Sequence, residues 1–253
     1  MFGSARAIVN RLRQLRLTEP SRLSVALSRA LAATLFPSIC CLCGFPGESA
    51  DLDLCEVCRE DLPWSRDPLA GAVVAFHYAP PVDDLIRQLK YHGINANARV
   101  LGVLLARAVA ERGEALPRLL VPVPLHQARL RERGFNQAAA LARYAGRMLR
   151  VAHADGVVRR VRDTPSQTAL SVNERHRNVR GAFAVNGERG IERLLEAGHV
   201  AVIDDVMTTG STLAELKCLM LAVGVRRVDV WAVARVAVKS DPLLSELGRD
   251  LRV

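Results

Sequence analysis

The chain has 253 residues, half of them hydrophobic, and carries a net charge of +9 with an isoelectric point near 9.9. This length fits one large domain, or one domain with a small module, and the apolar content excludes a disordered chain. The positive charge favours an anionic substrate or nucleic acid, although an arginine-rich surface alone would give the same value.

The N-terminal part of the chain is basic and then amphipathic. Residues 1–20 fit an arm that binds nucleic acid or a membrane surface, or else a frayed extension. Residues 21–36 are predicted to form an amphipathic helix, because leucines recur at every fourth residue until Pro37 ends the run. Arg29 interrupts this run, which is shorter than the ~18 apolar residues that a spanning helix needs. No small-residue cleavage site follows, so we expect a cytoplasmic protein with no membrane span.

Five of the six cysteines are clustered between positions 40 and 58. Two Cys-x-x-Cys pairs, Cys40 with Cys43 and Cys55 with Cys58, offer four thiolates from two tight turns, which is the ligand set of structural zinc. Cys41 is left over, and its spacing to Cys43 leaves the register open. Two redox pairs are the alternative interpretation. The clustering indicates a reducing compartment, and residues 21–68 are predicted to include a structural Zn²⁺ module.

Residues 69–238 are predicted to form an α/β domain, followed by a polar tail at 239–253. The predicted elements are a strand at 70–78, helices at 83–91 and 101–109, a strand at 119–125, a helix at 136–149, strands at 157–162 and 200–204, a helix at 213–223 and a strand at 228–236. Apolar strands of this kind are covered on both faces, which predicts an open, mostly parallel sheet flanked by helices. Residues 186–198 fit a surface helix without an assigned function, and Cys218 is predicted to be inert packing.

Two acids mark the end of the predicted strand at 200–204, and a loop of small residues follows them. The acids are Asp204 and Asp205, and the loop consists of Thr208, Thr209, Gly210, Ser211 and Thr212. Backbone N–H groups and hydroxyls in such a loop can surround a phosphate at the start of the next helix. Since ligands of open α/β sheets bind at the carboxyl ends of strands, this segment fits a sugar phosphate whose hydroxyls, or a hydrated metal, meet the acids. Helix capping alone is the alternative.

A second anion site is predicted after the strand at 119–125. Arg129, Arg131 and Arg133 are expected in a loop closed by Gly134, before a helix begins at Asn136. Three guanidinium groups beside a helix N-terminus match the geometry of pyrophosphate. A solvated basic turn is the alternative. Lys90, at the end of the predicted helix 83–91, is a weaker candidate for a further phosphate contact.

Several motifs resemble known families. DDVMTTGST at 204–212 resembles the phosphoribosyl-pyrophosphate (PRPP) loop of type I phosphoribosyltransferases. VPVPLHQARLRERGFNQA at 121–138 resembles the ComF family, which is competence-associated and phosphoribosyltransferase-like. The residues at 164–183 and the four-cysteine module are also similar to that family. The resemblance covers nearly the whole chain, from about residue 36 to residue 235.

The resemblance implies a type I phosphoribosyltransferase-like fold that binds PRPP with Mg²⁺. It implies that Asp204 and Asp205 are the catalytic acids facing the ribose hydroxyls, and that the loop at 208–212 holds the 5-phosphate. Residues 164–180 correspond to a mobile loop over the reaction centre, although a fixed short helix is equally simple. The candidate contacts from this loop are Gln167, Arg175 and Asn178.

Two functions remain compatible with the sequence. The first is transfer of a phosphoribosyl group from PRPP to an unknown acceptor, with release of pyrophosphate, linked by resemblance to DNA uptake. The second is a non-catalytic module of a DNA-uptake machinery that contacts single-stranded DNA or partner proteins. An aromatic content of only 4% weakens a mode of DNA binding based on stacking. The sequence indicates neither the acceptor nor the oligomeric state.

Overall fold

A computed structural model describes residues 38–48, 52–65, 71–162 and 179–236. The basic extension, the predicted helix at 21–36 and the C-terminal tail therefore lie outside the described residues. So do the loop candidates Gln167, Arg175 and Asn178. Among the helices that the structure does describe, none combines the length and the apolar character needed to cross a bilayer.

Five parallel strands form the central sheet. They are β1 (Ala72–His77), β2 (Leu119–Pro122), β3 (Ala152–His153), β6 (His199–Met207) and β7 (Arg227–Arg235). Their order across the sheet is β1-β7-β6-β2-β3. Two short strands, β4 (Val158–Arg160) and β5 (Phe183–Val185), pair antiparallel outside this sheet. The predicted parallel α/β fold is confirmed.

Seven helices are described. They are α1 (Glu56–Glu60), α2 (Val82–His92), α3 (Asn95–Glu111), α4 (Gln127–Arg133), α5 (Gln137–Leu149), α6 (Gly187–Ala197) and α7 (Ser211–Val223). The predicted helices that correspond to α2, α5, α6 and α7 are confirmed, whereas α3 begins six residues before its predicted start at 101. Cys218 was expected to pack inside, but it is exposed, because it lies two residues from the buried Leu216 and therefore on another side of α7.

The sheet is covered on both faces, as the apolar strands predicted. In β6, Val200 and Val202 join a core that includes α7, whereas Ala201 and Ile203 join a second core that includes α3 and α5. Successive side chains of a strand point to opposite faces, so an uninterrupted apolar run is what a doubly covered strand requires.

β6 extends beyond β2 at the carboxyl edge of the sheet. The last pair between them joins Pro122 to Ile203, whereas β6 continues along β7 as far as Met207. From β2 the chain moves outward to β3, and from β6 it moves in the opposite direction to β7. Such a reversal of strand order leaves a crevice between β2 and β6, which is where open α/β sheets bind ligands.

The cysteine-containing segment packs directly on this domain. Leu52, Leu54 and Leu62 are buried in the core that α2 and α3 build. Asp53, which is buried, forms a close ion pair with the partly exposed Arg99 of α3. The ring of Trp64 lies 4.6 Å from the ring of Phe76 in β1. The domain boundary near residue 68 stays a prediction, but apolar and ionic contacts join its two sides.

Candidate functional site

A cleft of about 490 Å³ lies at the carboxyl ends of β2 and β6. Its walls are the end of β6, the loop before α7, and side chains from α2, α4 and β4. The charged residues that line it are Arg87, Lys90, Arg129, Arg133, Arg160, Asp204 and Asp205. The cleft therefore brings the predicted acids, the loop of small residues and two of the predicted arginines to one place.

The two acids lie inside β6 rather than after it, which corrects the predicted strand end at residue 204. Asp204 is level with Ala232 of β7, and pairing with β7 carries the strand on to Met207. The carboxylate of Asp205 is buried, and its Oδ2 lies 2.7 Å from the Nζ of Lys90. Asp204 is partly exposed, so it is the acid that a ligand in the cleft would meet first.

The charges at this point of the cleft are unbalanced. Although Asp204 is less buried than Asp205, the protein atoms that surround its carboxyl group, followed by the charge of Asp205, raise the pKa of Asp204 well above its usual value. Burial acts to lower the pKa of Lys90, but Asp205 and then Asp204 raise it, and the net shift is upward. A cation beside Asp204 would relieve the excess negative charge. Mg²⁺ uses one or two carboxylates together with water and substrate phosphates, so the donor set of Asp204 and Asp205 fits it.

The loop of residues 208–212 leads directly into α7. Gly210 precedes the helix with a φ of 76°, a left-handed conformation that glycine adopts without a side-chain penalty. Thr209 and Ser211 are buried, and their hydroxyls hydrogen-bond to each other. The residues of the loop that line the cleft are Thr208, Gly210, Ser211 and Thr212. Thr209 instead supports the loop from within, and the start of α7 offers the positive end of a helix to an anion.

The three arginines that were expected in a loop lie on α4, so that prediction was wrong. Glutamine, arginine, leucine and glutamate are good helix formers, and the side chain of His126 accepts a backbone hydrogen bond at the start of the helix. The spacing of four residues places Arg129 and Arg133 on one face of α4, and both line the cleft. Arg131 is exposed and does not line it.

Four cysteines form a group that fits a metal ion. The Sγ atoms of Cys40, Cys43, Cys55 and Cys58 all lie within 4.8 Å of one another. A tetrahedral zinc with bonds of about 2.3 Å to sulfur separates its ligands by about 3.8 Å, and the Sγ atoms of Cys43 and Cys55 are 3.6 Å apart. Cys41 is exposed outside the group, which resolves the register.

One thiol of this group, that of Cys40, has a lowered pKa, which favours metal binding. Burial acts to raise the pKa of Cys40, but hydrogen bonds from backbone groups of Cys55, Cys43 and Leu42 lower it to about 6. These backbone hydrogen bonds favour the thiolate of Cys40, which is the form of cysteine that binds a metal.

Similar sequences occur among known proteins, although no protein-family model matches the chain. DNA utilization protein YhgH of Escherichia coli O6:H1 is 36% identical over 208 residues, which cover 81% of this chain and 87% of the relative. Competence protein F of Haemophilus influenzae is 33% identical over 186 residues, which cover 72% of this chain and 78% of the relative. The chain belongs to the ComF family. The predicted resemblance to the ComF family is thereby confirmed.

Several residues of the ComF cleft were missed by the sequence analysis. They are Tyr78, Arg87, Tyr91, Gln137 and Arg160. A helical signal was present for Arg87, which precedes Lys90 by three residues and Tyr91 by four and is therefore next to both on α2. The sequence around Arg160 did not indicate that it lines the cleft, because the pairing of β4 with β5 brings it there. Its guanidinium lies 5.4 Å from the centre of the Phe183 ring.

Proposed function

We propose that this ComF protein binds PRPP with Mg²⁺ and transfers its phosphoribosyl group to an acceptor, releasing pyrophosphate. One observation carries the proposal. A single cleft, at the reversal of strand order, combines an accessible carboxylate, a loop at a helix N-terminus and two helical arginines. PRPP has a complementary part for each of them: ribose hydroxyls, a 5-phosphate and a pyrophosphate.

Each part of the ligand has an assigned place in this proposal. The loop at 208–212 binds the 5-phosphate through backbone N–H groups, aided by the N-terminus of α7. Asp204 accepts hydrogen bonds from the ribose hydroxyls. Arg129 and Arg133 bind the pyrophosphate, because guanidinium groups pair with its oxygens in a bidentate manner. Arg131 has no part, given its exposed position outside the cleft lining.

The reaction breaks the bond between ribose C1 and the pyrophosphate oxygen while a bond from the acceptor to C1 forms. Positive charge develops on the ribose ring, and negative charge on the leaving group. Arg129 and Arg133 stabilise that negative charge, and Lys90 acts indirectly by holding the Asp205 carboxylate. Asp204 and Asp205 are the residues that would hold Mg²⁺, and the ion would supply positive charge to the oxygens of the ligand.

Asp204→Asn is expected to weaken PRPP binding in the presence of Mg²⁺ by about 10- to 100-fold, because a hydrogen bond to a charged group contributes about 1.5–3 kcal/mol. The substitution removes the accessible negative charge and preserves the shape of the side chain. Calorimetric titration of PRPP, with Mg²⁺ and with EDTA, measures the effect. Pyrophosphate release over a panel of acceptors then measures turnover.

Asp155→Asn is the matched control, because Asp155 is an exposed aspartate that does not line the cleft. It should bind PRPP like the unmodified protein. The proposal fails if the unmodified protein does not bind PRPP at millimolar concentration, or if Asp204→Asn binds it equally well.

A non-catalytic role is the second candidate, and the burial of Asp205 favours it. With Asp205 engaged by Lys90, only one of the two acids is readily accessible to a sugar. The protein would then sense PRPP within a DNA-uptake machinery and contact single-stranded DNA or partner proteins, in line with relatives named for competence and DNA utilization. PRPP binding without pyrophosphate release, combined with salt-sensitive retention on single-stranded DNA, would support this candidate over the transferase.

A further inference from the structure

The ammonium group of Lys90 is bound to one of the two acids that are proposed to hold Mg²⁺. α2 carries Lys90 into the cleft, where its Nζ lies 2.7 Å from Oδ2 of Asp205. The other oxygen of that carboxylate, Oδ1, accepts the backbone N–H of Val206 at 2.9 Å. Both side chains of the ion pair are largely buried, so solvent screens the pair only weakly. A metal ion that binds Asp205 therefore has to compete with a cation that the protein itself supplies.

The charges of the cleft do not favour a metal ion on its own. With Lys90 in place, Asp204 and Asp205 together retain a net charge of −1, which does not balance a divalent ion. Five cationic side chains line the whole cleft against only these two carboxylates, and Asp84 offsets one of the five by pairing with Arg87. A dication that enters alone is therefore repelled, whereas an anionic ligand is attracted. Phosphate oxygens would add the missing negative charge, and Mg²⁺ commonly combines carboxylates with substrate phosphates.

We propose that Lys90 makes Mg²⁺ binding conditional on an anionic ligand, because it neutralises Asp205 in the ligand-free protein. Lys90 acts through Asp205 and is therefore a positioning residue rather than a catalytic one. The competition between Lys90 and a metal ion stands on the ion pair, whereas the identity of the anion as PRPP rests on the proposed function. As a result, the metal and the sugar phosphate enter the cleft together.

Titration of Mn²⁺ into the full chain, followed by the electron paramagnetic resonance of the free ion, tests this role. Mn²⁺ binds the same types of oxygen ligand as Mg²⁺. Lys90→Met should bind Mn²⁺ alone about tenfold more tightly than the unmodified protein does, a typical size for the coupling between two bound groups. The unmodified protein should gain a similar factor only with PRPP bound, after correction for the Mn²⁺ that free PRPP binds. A merely structural role of Lys90 would not raise the affinity for a metal ion.

The folding of Lys90→Met is checked by circular dichroism, because the substitution leaves the buried carboxylate of Asp205 without its cation. Lys90→Gln is the second variant, since its amide can donate a hydrogen bond to Asp205 without supplying a charge. It should show the same gain in Mn²⁺ affinity. Lys217→Met is the matched control, because Lys217 is the only other lysine among the described residues and does not line the cleft. It should bind Mn²⁺ like the unmodified protein.

The double variant Lys90→Met/Asp205→Asn assigns the gain to its ligand, and it should bind Mn²⁺ no more tightly than the unmodified protein. A gain that persists in the double variant, or that is missing from both single Lys90 variants, would overturn the role of Lys90. Equal Mn²⁺ affinity of the unmodified protein with and without bound PRPP would also overturn it, and this comparison needs no variant. If PRPP does not bind at all, the transferase function fails by itself, and the Lys90 variants still decide the role of Lys90.

Discussion

Cys43→Ser is expected to remove one zinc ion per chain and to lower the melting temperature by about 10 °C, corresponding to a few kcal/mol in a protein of this size. Structural zinc sites contribute their binding free energy to folding, because the unfolded chain does not hold the ligands together. The four sulfurs join the turn at 40–43 to the start of α1, and this segment also carries Leu52 and Leu54 into the main core. Loss of the metal therefore loosens part of the core as well as the surface.

Metal analysis of the purified protein and thermal unfolding with and without a chelator measure this effect. Cys41→Ser is an unusually close control, since the same substitution is made two residues away at an exposed cysteine outside the group. It should keep both the zinc and the melting temperature. Equal zinc content in Cys43→Ser and the unmodified protein would contradict the assignment of the four ligands.

Asp205→Asn is expected to destabilise the protein by about 3–5 kcal/mol, the usual cost of leaving a buried charge without its partner. The side chain of Lys90 is only 21% exposed and that of Asp205 only 5%, so water cannot readily replace the lost carboxylate. Urea denaturation at neutral pH measures the change. An Asp205→Asn variant as stable as the unmodified protein would show that Lys90 does not depend on this ion pair.

Asp204→Asn, the same change one residue earlier, is expected to stabilise the ligand-free protein at neutral pH, because it removes a carboxylate whose charged form the folded state disfavours. The pKa of Asp204 is raised in the folded state by burial and by Asp205, so the folded protein holds this proton more tightly than the unfolded chain does. Stability contributed by the protonated form is therefore lost as the pH rises above the ordinary aspartate pKa.

The gain in stability from Asp204→Asn should accordingly be absent near pH 4 and should grow as the pH rises towards the raised pKa of Asp204. Denaturation curves for both proteins at several pH values between 4 and 8 measure this dependence. A gain that is constant across this range, or a loss at neutral pH, would contradict the charge imbalance inferred for the cleft. Opposite effects on stability at two adjacent aspartates would also make Asp204→Asn the cleaner probe of ligand binding.

The parts of the site that are continuous in sequence were predictable. Asp204, Asp205 and the loop at 208–212 stand together in the chain, and their place at the sheet edge follows from one apolar strand. The ion pair between Lys90 and Asp205 was not predictable, because it joins α2 to β6 through the fold. Lys90 was instead expected to contact phosphate, and that role stays a prediction.

The difference between the two aspartates did have a signal in the sequence. Adjacent residues of a strand point to opposite faces, so one acid had to be less accessible than the other once β6 was extended through them. The predicted strand ends at residue 204, whereas pairing with β7 carries β6 to Met207. The arginines of α4 show the opposite case, in which the approximate location was correct and the secondary structure was wrong.

The interface between the cysteine segment and α3 limits how far the chain can be truncated from its N-terminal side. Asp53 pairs with Arg99, and the carboxylate of Glu48 lies 3.3 Å from the guanidinium of Arg107. Leu52 and Leu54 are fully buried between the two segments. A recombinant fragment that starts at residue 69 would expose an apolar surface on α2 and α3, and α2 is the helix that carries Lys90 into the cleft. Such a fragment would aggregate during purification, so the protein used for substrate screening has to retain the cysteine segment.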